Sequence, residues 1–395
     1  MSVRPIDFVL AALALLGPLA IHLFLPIIPV AKTEFGLSEA LAQLTFSIGI
    51  IGLAFSTLAY GTFADRYGRR PVLLVGLVLF VFGSVISALA ISFTTLLVGR
   101  VIQSVGAGCG ITLARAIARD VYGDQGLVKG IAYLTMFYAA GALLAPGIGG
   151  LLLDIAGWRS AFFLATFIGV GTAIAAHLVV PETRAQGLRT GSSPILSGFF
   201  ELLRQPRFCA LVIHTGCSTG TFLIIASASS TLMKELLHRS ATEFGLYFAM
   251  IPAGFVIGTM ISSRIGNRAS VERMILIGGL IGVIAVVVQS VFFLFGYLSP
   301  LVLFLPGSFV TLAQGISLPF AQAAAMRIVP RLAATAAGLG VFAQNFLGAG
   351  FAQIYGILAD GTPVPMMQMA SLTAALTLLS AYVATLLRRR AEMAV

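Results

Sequence analysis

The sequence predicts an all-α polytopic membrane protein with about twelve transmembrane helices arranged as two six-helix halves. Composition is the first observation that predicts it. Of 395 residues, 58% are hydrophobic and 10% charged, with a mean hydropathy of +1.02. A soluble domain carries roughly 25% charged residues, and a chain of this length has no interior large enough to hide so much apolar surface from water. The second observation is spacing: polar punctuation cuts the chain into apolar segments of about 20 residues, the length that crosses a bilayer. The third is the distribution of basic residues, which fall on one side when the segments are taken as alternating crossings.

The segments run near 7–30, 41–60, 71–92, 96–118, 128–152 and 160–180, then 207–232, 243–263, 272–296, 300–327, 333–358 and 365–387. The start of the chain is expected to be the first span and not a cleaved leader: its apolar stretch is long, carries Asp7 and three prolines, and lacks a small-residue cleavage site. The longest polar stretch, Pro181 to Arg207, contains Glu182, Arg184, Arg189, Ser192, Ser193 and Arg204. It therefore divides an N-terminal half (1–180) from a C-terminal half (207–395, ending in a short basic tail), with a cytoplasmic linker at 181–206. A weak internal echo supports a duplicated plan. Arg66, Gly68 and Arg70, between spans 2 and 3, have counterparts in Arg264, Gly266 and Arg268 between spans 8 and 9, with Ser263 in place of the acid Asp65.

The net charge of +10 does not point to nucleic acid. With Met1 inside, 19 of the 24 basic residues fall on the inner side, Lys32, Arg159, Lys234 and Arg239 fall outside, and Arg100 lies within a span. That asymmetry is the positive-inside rule and predicts both termini in the cytoplasm. Cys109, Cys209 and Cys217 all sit in apolar stretches and read as packing residues, not as a disulfide framework or a metal site. No cofactor or metal is expected.

Four local patterns carry chemistry. The loop Gly61-Thr62-Phe63-Ala64-Asp65-Arg66-Tyr67-Gly68-Arg69-Arg70 combines glycines suited to a tight two-helix turn with an acid and three arginines that must find partners at the membrane surface. Span 4 carries Arg100, about one turn inside its outer end, and Gln103 three residues further on. A guanidinium there is costly unless it faces a wet cavity, finds a partner or snorkels to the surface. Span 5 carries Gly141-Ala142-Leu143-Leu144-Ala145-Pro146-Gly147-Ile148-Gly149-Gly150, in which Gly141, Ala145 and Gly149 share one face, fit for close helix approach, and Pro146 bends the helix. Span 1 carries His22 between Pro18 and Pro26, at i−4 and i+4, which places the three on one disturbed helix face.

These patterns resemble those of the major facilitator superfamily. The first is similar to its loop signature G-x-x-x-D-R-x-G-R-R, and the third to the string G-x-x-x-G-P-x-x-G-G of its antiporter branch, with Ala145 in place of a glycine. Gly17 to Pro26, Leu113 to Asp120, Trp158-Arg159 and Pro181-Glu182-Thr183 narrow the resemblance to twelve-helix drug:proton antiporters of the bicyclomycin/chloramphenicol-resistance type. The resemblance implies a gating latch made of Asp65, Arg66, Arg69, Arg70 and Asp120, in which Asp65 caps the inner end of span 11 and Arg69 pairs with Asp120. It also implies a substrate cavity between the halves near the bilayer midplane, lined by spans 1, 4, 7 and 10. His22, Arg100, Gln103, Tyr138, His214, Gln314 and Asn345 are the polar and aromatic groups expected there.

One departure from that family stands out. The position of His22 carries an aspartate in such relatives, and here no acid lies deep in any span. His22 titrates in the range a proton-coupled site needs; the structural alternative is a neutral histidine hydrogen-bonded between helices. The expected activity is export of small amphipathic organic molecules, neutral or anionic because a cation would lack a carboxylate partner, in exchange for protons. An importer or uniporter of the same fold is the alternative. An enzyme would need a nucleophile–base set that the sequence does not provide. The expected partners are the substrate, protons and membrane lipid, with no nucleic acid, and the expected state is a monomer.

Overall fold

A computed structural model describes the backbone of residues 4–183 and 195–393, and the side chains of these except 123–129, 132, 195–197, 267, 334 and 391–393. Among the described residues every regular element is helical. Among the described residues, twelve helices are long and apolar enough to cross a membrane: Pro5–Glu34, Glu39–Tyr67, Arg69–Ala88, Phe93–Tyr122, Tyr133–Ala156, Arg159–Val179, Pro206–Glu235, Ala241–Ile265, Val271–Leu294, Pro300–Ile328, Thr335–Leu358 and Val364–Arg390. They are called spans 1 to 12 below. The chain is thus a multi-pass, all-α membrane protein.

Local chemistry sets where several spans begin. Ser38, Ser92, Ser270 and Ser299 are extended residues whose hydroxyls accept from Leu41 N, Thr95 N, Arg273 N and Val302 N, so spans 2, 4, 9 and 10 each start on a serine cap. Span 10 adds Pro300 at its first turn, where no backbone N–H is needed. The turn between spans 2 and 3 rests on Gly68 alone, at φ +102°. Gly61, expected to share in that turn, lies inside the span 2 helix, because nothing in 61–67 stops helical hydrogen bonding before Gly68.

The chain forms two compact units. The first comprises Met1–Gly191 together with Ser240–Leu246, and the second Ser192–Arg239 together with Tyr247–Val395. In the first unit spans 3 and 4 pack backbone against backbone: a Cβ at Gly83 would lie 2.6 Å from Gln103 Cα, and one at Gly106 would lie 2.6 Å from Phe80 Cα. In the second unit spans 8 and 10 meet the same way, where a Cβ at Gly315 would lie 2.8 Å from Thr259 N.

The structure departs from the sequence expectation in four places. Arg184, Arg189, Ser192 and Ser193 of the linker lie outside the described residues, but Ile195–Leu203 is a helix and not polar connecting chain. Its charge at Glu201 disguised an apolar face: Leu202 is fully buried with Phe208, Leu211 and Ile275, and Glu201 pairs with Arg331 at 2.5 Å. Helical hydrogen bonding also continues from Cys109 to Ala156 through the segment between spans 4 and 5, where no proline interrupts it. Span 4 itself turns at Gly108. Finally, the first helix of span 1 ends at His22, a 3-10 turn covers Leu25–Ile27, and the helix resumes at Ile28–Glu34. Pro26 therefore does not share a helix face with Pro18 and His22. Its ring has no N–H to give the His22 carbonyl and clashes with it, which ends the helix four residues upstream.

Candidate functional site

The break in span 1 creates a polar point in the core of the first unit. Ending the helix at His22 frees carbonyls that would otherwise be paired. Arg100 of span 4 takes one of them: its Nη1 donates to Ala20 O at 2.6 Å and to Gln103 Oε1 at 2.6 Å, and its Nε donates to Thr45 O of span 2 at 3.3 Å. Gln103 passes the network on, donating to Ser84 Oγ of span 3 at 3.0 Å. The guanidinium also lies 4.5 Å from the centroid of the Phe24 ring.

Arg100 is 1% exposed, and its third guanidinium nitrogen, Nη2, has no hydrogen-bond partner. Room for Nη2 comes from Gly49, where an added Cβ would lie 2.7 Å from it. The guanidinium is thus a buried cation held by neutral acceptors from spans 1, 2 and 4. Of the other residues expected to line a cavity, His22 is buried at the break, two residues from Ala20. Tyr138 of span 5 is half-buried beside Gly17, where an added Cβ would lie 3.6 Å from its ring.

A second cluster lies at the face of this unit that the basic residues predict to be cytoplasmic. Arg69 Nη1 pairs with Asp65 Oδ1 at 2.6 Å and Arg69 Nε with Asp120 Oδ2 at 3.3 Å. Asp120 also accepts from Thr183 Oγ1 at 3.0 Å. Arg70 Nη2 donates to His177 O at 2.7 Å, and Arg66 lies over the Tyr67 ring. The structure adds Glu182, to which sequence reasoning gave no role of its own. Its carboxylate accepts from Arg69 N at 2.9 Å and Arg70 N at 3.2 Å, capping the start of span 3. Glu182→Gln should therefore cost about 1 kcal/mol and lower the thermal midpoint of the protein in detergent by about 2–4 °C. A midpoint unchanged within 1 °C would mean that this carboxylate is not the cap.

The small residues of span 5 divide between two neighbours. Gly141 faces Pro18, where an added Cβ would lie 3.0 Å from Pro18 Cβ, and Gly149 faces the break in span 1, 3.3 Å from Pro26 Cγ. Ala145 between them is fully buried. Gly147 and Gly150 instead face the segment Ser240–Leu246: a Cβ at Gly245 would lie 2.5 Å from Gly147 Cα and 2.7 Å from Pro146 O. Asp154, one turn beyond Gly150, caps that segment by accepting from Thr242 N at 2.8 Å and Thr242 Oγ1 at 2.6 Å.

In the second unit the remaining expected residues are separate from one another. Gln314 Nε2 donates to Thr219 Oγ1 at 2.9 Å, linking spans 10 and 7, and His214 Nδ1 lies 3.0 Å from Thr377 O of span 12. Asn345 turns back on its own helix, donating to Val341 O at 2.9 Å. This unit also has a charge cluster that sequence reasoning missed. Glu272 at the start of span 9 pairs with Arg207 of span 7 at 2.9 Å and with Arg388 of span 12. It lies four residues beyond Arg268, at the start of the span that follows the loop echoing Arg66, Gly68 and Arg70.

Residues 10–353 match the family model described as Major Facilitator Superfamily. The chain is similar to the MFS-type transporter YdgK of Bacillus subtilis (strain 168), 28% identical over 93% of this chain and 92% of that protein. It is also similar to the multidrug resistance protein MdtL of Escherichia coli O139:H28, 30% identical over 60% of this chain and 61% of that protein. In three dimensions it shares the fold of the nucleoside transporter NupG, with a TM-score of 0.77 at 13% identity over 96% of this chain and 99% of that one. It shares it also with a D-xylose–proton symporter, with a TM-score of 0.76 at 17% identity over 94% of this chain and 96% of that one.

Proposed function

Because the chain belongs to the major facilitator superfamily and is a multi-pass transporter, we propose that it exports small amphipathic organic molecules, neutral or anionic, in exchange for protons. Alternating access is the mechanism, and the subfamily is the twelve-helix drug:proton antiporters of the bicyclomycin/chloramphenicol-resistance type. The similarity to a multidrug resistance protein supports efflux. The observation that carries the substrate class is Arg100, a buried cation whose hydrogen-bond acceptors are all neutral, in a chain with no acid deep in a span. A permanently cationic compound would meet that charge without a carboxylate to offset it, whereas a carboxylate or sulfonate on a substrate complements it.

Two measurements test this. A compound screen in a pump-deficient bacterial strain, scored by growth and dye retention, should return neutral and anionic molecules; a set made up of quaternary cations would overturn the substrate class. Reconstituted vesicles with an imposed pH gradient should then accumulate a hit against its own gradient. Counterflow that ignores the pH gradient would instead favour a uniporter.

In this reading Asp65, Arg66, Arg69, Arg70 and Asp120 form the gating latch. Arg69→Asp and Asp120→Arg should each reduce transport about tenfold, and the double exchange should recover part of the loss. Recovery is incomplete because an acid at 69 meets Asp65 four residues away. A double exchange no better than the worse single change would remove the pair from the latch. The basic-residue asymmetry supports an inner-membrane orientation with both termini cytoplasmic. A cysteine placed at Arg388 should stay unlabelled by an impermeant reagent in intact cells, and labelling there would reverse the orientation.

A further inference from the structure

His214 is fully buried, and its Nδ1 lies 3.0 Å from the carbonyl oxygen of Thr377. A carbonyl oxygen only accepts, so Nδ1 carries the hydrogen, and in the neutral ring Nε2 is then a bare acceptor. Nε2 is buried and has no hydrogen-bond partner. One helical turn along span 7, Ser218 borders a cavity of about 10 Å³ that is also lined by Thr221, Ser317, Thr377 and Gly282. That is about the room one water molecule needs, and its walls supply hydroxyls from spans 7, 10 and 12. The hydroxyls are already threaded together: Thr221 Oγ1 donates to Thr373 Oγ1 at 2.8 Å and Thr377 Oγ1 to Thr373 O at 2.8 Å.

The charged side chains on the packed elements all lie at element ends. Arg207, paired with Glu272 and joined to Arg388, is seven residues from His214, roughly 10 Å along the helix. Lys234 and Glu235 close the far end of span 7, Arg327 ends span 10, and span 11 carries no charge among the described residues. Glu201 on the helix Ile195–Leu203 is paired with Arg331. Cys217 and Tyr355 are the buried neutral titratable groups on these elements. No carboxylate inside the packed spans competes with His214 for a proton.

We propose that His214 Nε2 and the hydroxyl-lined cavity one helical turn along span 7 form a hydrated proton-binding site inside the second unit. In the neutral state one water donates to Nε2. On protonation a solvent proton passes through that water, the bond formed is Nε2–H, and the ring becomes an imidazolium that donates at both nitrogens, to Thr377 O and to the water. No other group changes its charge. The site is separate from His22, the coupling candidate that the sequence offers in span 1, and stands whether or not His22 couples.

The test is nitrogen-15 NMR of the full chain, labelled at histidine, in lipid nanodiscs. His214→Asn identifies the signals by their loss, since the asparagine amide keeps a donor for Thr377 O. At about pH 8 the His214 ring should be the Nδ1–H tautomer, and by about pH 5 it should be imidazolium. Gly282→Ala adds a methyl whose nearest neighbour is Ala313 Cβ at 3.9 Å, so it fits without a clash and takes volume from the cavity. It should weaken proton binding at His214 about tenfold or more. An Nε2–H tautomer, a ring that stays neutral down to about pH 4, or a titration unmoved by Gly282→Ala would each overturn the proposal. His22→Gln should leave the His214 titration unchanged, so a failure of proton exchange at His22 and a failure of this site read out separately.

Discussion

Arg100→Gln should reduce transport of anionic compounds about 100-fold while leaving neutral ones within about tenfold, measured in reconstituted vesicles. Removing one partner of a buried charge pair costs roughly 2–5 kcal/mol, which brackets a 100-fold loss at about 2.8 kcal/mol. The glutamine keeps a donor for one of the acceptors that Arg100 now serves, Ala20 O, Thr45 O and Gln103 Oε1. Each carbonyl left unpaired in the core costs about 1–3 kcal/mol, so the thermal midpoint should fall by several degrees as well. Arg100→Lys separates charge from shape. Its ammonium keeps the charge but cannot reproduce the planar fork, and it should lose both compound classes about equally.

Gly49→Ala refines that result without touching the arginine. The new methyl would lie 2.7 Å from Nη2, so the guanidinium must shift while its charge stays. Transport of anions should drop by an intermediate amount, about tenfold, if the position of the cation matters. Transport of anions by Arg100→Gln within threefold of the parent would show that Arg100 only stitches spans 1, 2 and 4 together.

The stitching and the functional reading share one cause, and only part of it was legible in the sequence. Pro18, His22 and Pro26 announce a disturbed helix, and Arg100 announces a polar need inside a span. What the sequence does not contain is that the two answer each other: the carbonyl of Ala20, freed by the break, is what the guanidinium binds. Span positions were legible to within a few residues because hydropathy and length are local properties. Glu182 and Glu272 were not, because a carboxylate near a span end looks like ordinary loop charge until the helix start it caps, or the arginines it joins, are in place. The helix Ile195–Leu203 was hidden for the opposite reason: its apolar face is too short to read as a span, and its neighbours are polar.

His22→Gln should abolish accumulation driven by a pH gradient, a loss of at least about tenfold, while counterflow exchange of the same compound persists. A proton-driven exchanger needs a group whose protonation biases one access state over the other. Every acid in this chain lies between spans or near a span end; Asp7, for one, sits in the first turn of span 1, engaged with Arg4 N and Tyr122. His22 sits instead at the one place where span 1 loses its helical hydrogen bonds, two residues from the carbonyl that holds Arg100. Protonating it adds a second positive charge near that guanidinium, and like charges brought close in a low-dielectric core disfavour the conformation that holds them together. The sign follows: proton uptake at His22 weakens the Arg100-centred arrangement and proton release restores it. Glutamine fills a similar volume and keeps a donor and an acceptor but cannot change charge, so the protein should still bind and exchange substrate while ignoring the gradient. His22→Asp should restore coupling with the opposite electrostatics: the ionised acid pairs with Arg100 and protonation releases it. That variant should also accept cationic compounds that the parent rejects, because a carboxylate is then available in the core. Unchanged gradient-driven accumulation in His22→Gln would make this histidine structural and move the coupling proton elsewhere.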